Sequence, residues 1–142
     1  MSDSAAIPCV QARASSAVVL VPLPEISCAL PSSALKRDPS EGRTVASWNA
    51  RELPVMVVAE ALGLGGAIGP HSVVLVHERG PAALGLVVDS VGAVHWIADE
   101  QRLPLPDAAR LTVASAVVQT EKGLLWVIEP QKFWPNEAEG ST

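Results

Sequence analysis

The sequence is short of the groups that most enzymes work with. Its 142 residues include no tyrosine, three histidines and two cysteines. Cys9 and Cys28 have neither the number nor the spacing of a disulfide framework or a zinc site, and a reduced cytosol suits them. There is no H-E-x-x-H pair of metal ligands and no G-x-S-x-G nucleophile elbow. Charge is also scarce, at 18% of residues, and it leans negative: 15 acidic against 10 basic side chains, a net −5. That sign repels nucleic acid and anionic lipid, and no basic stripe overrides it. The opening Met1-Ser2-Asp3-Ser4 lacks the basic region of a secretory signal. The apolar stretch 14–24 is too short for a membrane span and is broken by Pro22 and Pro24. The composition points away from catalysis, and no cofactor or metal is expected.

What the chain does have is 49% hydrophobic residues, mostly Val and Ala, cut into short pieces by 12 Pro and 10 Gly. Strand-like runs fall at Ala17–Pro22, 26–30, Thr44–Trp48, 53–59, 72–77, 84–89, 91–97, 113–119 and 124–128. The first two read as a hairpin around Leu-Pro-Glu, the sixth pairs with the fifth across Gly80-Pro81, and the last two are joined by Thr-Glu-Lys-Gly. Helical signal is slight: a turn or two at 32–37 capped by Ser32, another at 60–64, and a short helix at 130–134 opened by Pro130. The fold class is all-β, a sandwich or barrels. The small, polar stretch 1–14 reads as a loose arm and the acidic 135–142 as a flexible tail. The glycine-rich stretch 63–70 divides the rest into a first lobe of about 15–69 and a second of about 70–128. Lobes that small must share an apolar seam.

Gly63-Leu-Gly-Gly-Ala-Ile-Gly69 is not G-x-G-x-x-G, and a strand rather than a helix follows, so it reads as a flexible connection between lobes rather than a phosphate loop. His77 and His95 sit in strand runs as surface-facing alternates, and with His71 they read as structural or solvated. Asp89 ends a strand, where a carboxylate caps the following turn. The four tryptophans either fill the seam or anchor a partner.

Several segments together resemble the CheW family of bacterial chemotaxis adaptors. Leu53-Pro-Val-Met-Val-Val-Ala-Glu-Ala-Leu-Gly-Leu64 has the spacing of its "LPVxDLRxxLGL" segment, and Leu84-Gly-Leu-Val-Val-Asp-Ser-Val-Gly-Ala-Val94 of its "xGLxVDxVxxV" strand pair. Cys28-Ala-Leu-Pro31, Leu103-Pro-Leu-Pro106 and Gly123-Leu-Leu-Trp-Val-Ile-Glu-Pro130 resemble its "xALP", "PLP" and "LLLLDP" pieces. The resemblance implies two interlocked five-stranded SH3-like barrels with a short C-terminal helix, in a non-catalytic cytoplasmic adaptor. Its implied partners are the cytoplasmic tip of a chemoreceptor (a methyl-accepting chemotaxis protein) and the regulatory domain of the histidine kinase CheA. Leu35, Gly85, Val91 and Val94 match receptor-facing positions. Val91 and Val94 are an odd number apart, so a bulge at Gly92 is needed to bring them to one face; otherwise one of them is core.

The chain also departs from the pattern. Asn49-Ala50, close to Arg51, stand where the family has Arg-Gly; Val57 and Ala59 replace an Asp and an Arg; Arg37 replaces a Glu; Ala116 replaces a glycine. The stretch between Pro31 and Asn49 is about ten residues short, the size of a loop or a strand edge. Arg37, Asn49, Ala50, Arg51 and Ala116 are therefore the altered interface positions. The expectation is an accessory adaptor that keeps the receptor and has weakened or lost the kinase. The alternatives are a full receptor–kinase scaffold and a small-molecule-binding β-barrel.

Overall fold

The apolar runs are too continuous for a sheet with one wet face, so each strand that carries one must be covered on both sides. A computed structural model describes residues 6–38, 42–104, 113–120 and 123–134 and shows how this is done. The expected tail at 135–142, the first five residues of the expected arm and part of the Thr-Glu-Lys-Gly link lie outside the described residues.

The chain runs out and back as β1 (Ala6–Ala14) and β2 (Ala17–Pro22). It then builds a second sheet from β3 (Cys28–Pro31), β4 (Leu35–Arg37), β5 (Thr44–Trp48), β6 (Arg51–Val57), β7 (Val73–Arg79) and β8 (Ala82–Val88), with a one-turn helix α1 (Val58–Ala61) after β6. It returns to the first sheet as β9 (Ser90–Ala98), β10 (Arg102–Leu103), β11 (Ala114–Thr120) and β12 (Gly123–Ile128). The orders are β10-β11-β12-β2-β1-β9 and β3-β7-β8-β6-β5-β4. In each sheet the two edge strands are consecutive in the chain: β9 and β10 are joined by the 3-10 turn Asp99–Gln101, and β3 and β4 by Ser32–Ala34. A three-residue link spans no more than about 14 Å between flanking Cα atoms, so each sheet has to curl until its edges approach.

Alternation along the strands then sorts the core. Leu20, Val118, Val127, Cys9 and Ile97 fill the inside of the first curled sheet, and Ala46, Leu53, Val74, Val76 and Val87 the inside of the second. Their immediate neighbours Val19, Val21, Leu75, Leu86, Val88 and Ile128 point the other way, into a core that both sheets share with Phe133 and α1. This shared core is the seam that the two-lobe reading requires.

The structure corrects several expectations. The stretch read as a loose arm is, from Ala6 onward, a nine-residue strand with Val10, Ala12 and Ala14 in the shared core. β2 and β3 are not a hairpin: β2 pairs with β1 and β12, β3 with β7. The lobes do not divide at 63–70 either. One sheet takes both ends of the chain and the other its middle, so the barrels interlock, with six strands each rather than five. The glycine-rich stretch leads from α1 to β7 within one sheet. Gly63, at φ 80°, closes α1: its N–H reaches Glu60 and that of Leu64 reaches Ala59, the two bonds of a Schellman cap. Gly66 lies so close over α1 that a Cβ there would stand 2.8 Å from that of Ala59. Ser32 caps nothing; its hydroxyl donates to the Pro70 carbonyl at 2.7 Å. Pro130–Phe133 is a 3-10 turn.

Asp89 does cap a turn, but a distant one. Its Oδ2 accepts from the Ser15 N–H at 2.9 Å, and its own N–H donates to the Arg13 carbonyl at 2.8 Å. Ser15 sits in the β1–β2 turn at φ 60°, a strained conformation for a residue with a Cβ. Asp89 therefore ties the end of the second sheet to a turn of the first. Asp89→Ala removes a charge-assisted bond and is expected to cost about 2 kcal/mol of unfolding free energy, measured by urea titration.

Candidate functional site

β9 is an edge strand and differs from every other strand of its length. From Ser90 to Trp96 it is exposed throughout, and it carries no charge and no proline, the usual guards of an open edge. Its register with β1 decides which side chains share a face. Trp96 lies opposite Pro8 and Val94 opposite Val10, but Val91 lies opposite Ala12, so three steps on β9 answer two on β1. The extra residue falls at Gly92–Ala93, a bulge that brings Val91 and Val94 to one face. Cross-strand neighbours point to the same side, so Val91, Val94 and Trp96 form one row on the side of Val10 and Ala12. The shared core thus continues outward as an apolar stripe on open sheet. The three side chains are 41%, 48% and 66% exposed. At about 6.7 Å per pair of strand residues the row is about 13 Å long, which nine residues of a helix lying along it would cover.

The opposite side of β9 is polar near its middle, where His95 Nε2 lies 3.0 Å from Gln11 Oε1. The sequence offers Trp96 as one of four tryptophans that fill the seam or anchor a partner, and not among the expected receptor-facing positions. Its position two after Val94, beyond the bulge, was the available signal.

Two of the four expected receptor-facing positions are not on this surface. Gly85 is buried in β8, where an added Cβ would stand 2.7 Å from Val74 Cγ1 and 3.1 Å from Val55 Cγ1. It is a glycine because two strands leave no room. Leu35 is half-buried at the start of β4, packed on the interior of the second sheet.

The altered positions do not converge. Arg37 pairs with Thr44 at one end of β5, while Asn49 and Ala50 form the turn at its other end, about 17 Å away by strand rise. Asn49 and Ala50 both have positive φ, 53° and 62°, the conformation of a two-residue type I′ hairpin. Alanine there is strained by about 1 kcal/mol where the family's glycine would not be. Arg51 is committed internally: its guanidinium lies 5.4 Å from the Trp48 ring centroid, and Nη1 donates to the Pro81 carbonyl at 2.9 Å. Ala116 is corrected from interface to core. It is 6% exposed inside the first sheet, beside the bulge between Ala114 and Ala116. Val57 and Ala59 serve the shared core.

A ligand barrel would need a polar cluster in a cavity. A cleft of about 600 Å³ lies on the outer side of β5 and β6 under the glycine-rich stretch and is lined mainly by Val45, Pro54, Val55, Met56, Val57 and Ile68. Only Arg43, Thr44 and Glu60 bring polar side chains to it, and neither Asp89 nor any histidine is among its lining residues. Among the described residues no group of three His, Cys, Asp or Glu side chains is placed to hold a metal. Cys9 and Cys28 are free thiols in separate cores, and burial raises the pKa of each. No helix among the described residues is long and apolar enough to cross a membrane.

Comparison with known proteins agrees with the topology. The scaffolding protein TtCheW from Thermoanaerobacter tengcongensis superposes with a TM-score of 0.74, at 16% identity, over 87% of this chain and 89% of that one. No curated protein matches the sequence. The model of the CheW-like domain matches residues 9–134, from the first strand to the tryptophan that follows the last turn. Two interlocked curled sheets, in a chain without a catalytic constellation among its described residues, thus have a family: the chain belongs to that of the CheW-like domain.

Proposed function

We propose that this protein is a non-catalytic chemosensory adaptor that holds the apolar helical tip of a chemoreceptor against Val91, Val94 and Trp96, and that its contact with a CheA-type kinase is weakened or lost. The observation that carries the first half is the exposed stripe on β9, an edge without charge or proline whose apolar side continues the core. Rigid valines suit such a contact because little side-chain entropy is lost on docking. The second half rests on the reversed charge at Arg37, the strained Asn49–Ala50 turn and the shortened stretch before it. Losing a charge pair or an edge contact each costs several kcal/mol, enough to abolish a micromolar interaction. That would make the protein an accessory modulator, of the kind represented by the accessory adaptor of the myxobacterial Frz system.

The test is calorimetric binding, measured separately, to a receptor cytoplasmic fragment and to the kinase regulatory domain. Receptor binding with kinase affinity at least about 100-fold weaker is expected, a gap of about 2.7 kcal/mol. Comparable affinity for both makes it a full scaffold, and binding to neither overturns the adaptor reading.

A further inference from the structure

The C-terminal turn makes a contact that the docking stripe does not use. His77, expected on the surface, is 5% exposed on β7. The indole Nε1–H of Trp134 donates to its Nδ1 at 2.7 Å, and the two rings meet edge to face with centroids 5.8 Å apart. Because Nδ1 accepts, the imidazole is neutral and keeps its proton on Nε2, which faces Glu25 Oε1 at 3.8 Å. Trp134 follows the first sheet's last strand and the turn that seats Phe133 in the shared core, whereas His77 belongs to the second sheet. One hydrogen bond therefore pins the C-terminal turn across the seam.

We propose that Trp134, His77 and Glu25 form an acid-released latch across the seam between the two sheets. An indole N–H only donates, so a proton on Nδ1 of His77 sets two donors against each other and the bond is lost. The surrounding charges set how readily this happens. Burial and Arg79, whose guanidinium also covers the Trp134 ring at 5.2 Å, hold the His77 pKa below its usual value; Glu129 acts the other way. Burial and a hydrogen bond shared with Glu129 raise the pKa of Glu25, while Arg102 from β10 lowers it. Of the neighbouring charged groups, Glu78 accepts from the Ser27 hydroxyl and Lys132 donates to the Ala114 carbonyl. A proton arriving at this cluster has two destinations. On Glu25 it leaves the latch shut; on His77 it opens it. For His77 the sign is fixed: with its folded pKa below the unfolded one, its contribution to stability is complete above the ordinary imidazole pKa and is lost as pH falls toward the folded value.

The test is the Trp134 indole N–H resonance, assigned by its disappearance in Trp134→Phe and followed in the full chain from about pH 7.5 to about pH 4.5. Far-UV circular dichroism is recorded in parallel. A single transition of that resonance without change in the circular dichroism is expected. It should be absent in His77→Gln, whose amide oxygen still accepts but does not titrate, and displaced to lower pH in Glu25→Gln, which removes the carboxylate 3.8 Å from Nε2. Glu25 is only half-buried, so that variant stays informative if the buried substitution does not fold. A resonance that does not move, a transition unaltered in Glu25→Gln, or unfolding of the whole chain over the same range overturns the latch.

Discussion

Val94→Glu is expected to abolish receptor binding and leave the fold unchanged. Val94 is nearly half exposed on an edge strand, so a carboxylate there remains hydrated in the free protein and shifts stability by no more than about 0.5 kcal/mol. In the complex the same carboxylate lies between Val91 and Trp96 against an apolar helix, with no cation in the row to meet it. An unpaired charge buried in this way costs about 3–5 kcal/mol, a loss of affinity beyond 100-fold. Trp96→Ala removes the largest exposed ring of the stripe and is expected to cost about 2 kcal/mol of binding, as truncation of an interface tryptophan does. Calorimetry against a receptor cytoplasmic fragment, with a thermal melt of each variant, checks both.

Gly85→Val should do the reverse, removing stability and leaving the docking surface alone. The resemblance places Gly85 among receptor-facing residues, but its Cα is enclosed by Val74 and Val55. Both are β-branched and cannot swing aside. Overpacking at this site is expected to cost about 3 kcal/mol, lowering the melting temperature by about 6–12 °C. The urea midpoint should fall without a change in slope. β9 belongs to the other sheet, so affinity per folded molecule should hold. A variant of unchanged stability that no longer binds receptor would show Gly85 to be a contact.

These variants also mark how much the sequence disclosed. Strands buried on both sides are written as unbroken apolar runs, so β2, β7 and β8 were legible, as were the apolar run of β12 and the β7–β8 turn, where Gly80 takes φ 62°. The bulge at Gly92 was one of two readings of the odd spacing of Val91 and Val94, the other being that one of them is core; the register with β1 decides between them. β1 was missed because its inward residues are small and Gln11 and Arg13 alternate with them, although Val10-Gln11-Ala12-Arg13-Ala14 carries the two-residue period of a half-buried strand. The allocation of strands to sheets had no local signal. Leu23–Glu25 is a 3-10 turn that hands the chain from one sheet to the other, and nothing in Leu-Pro-Glu distinguishes that from a hairpin. The pairing of His77 with Trp134 spans 57 residues and arises only when the seam closes.

The most direct test is a residue-resolved NMR titration of the full chain with a receptor cytoplasmic fragment. The largest shifts should fall on Val91, Val94 and the Trp96 indole, with the Asn49–Ala50 turn and the cleft at Met56 and Ile68 unmoved. Shifts confined to that turn or that cleft, with β9 silent, would contradict the account.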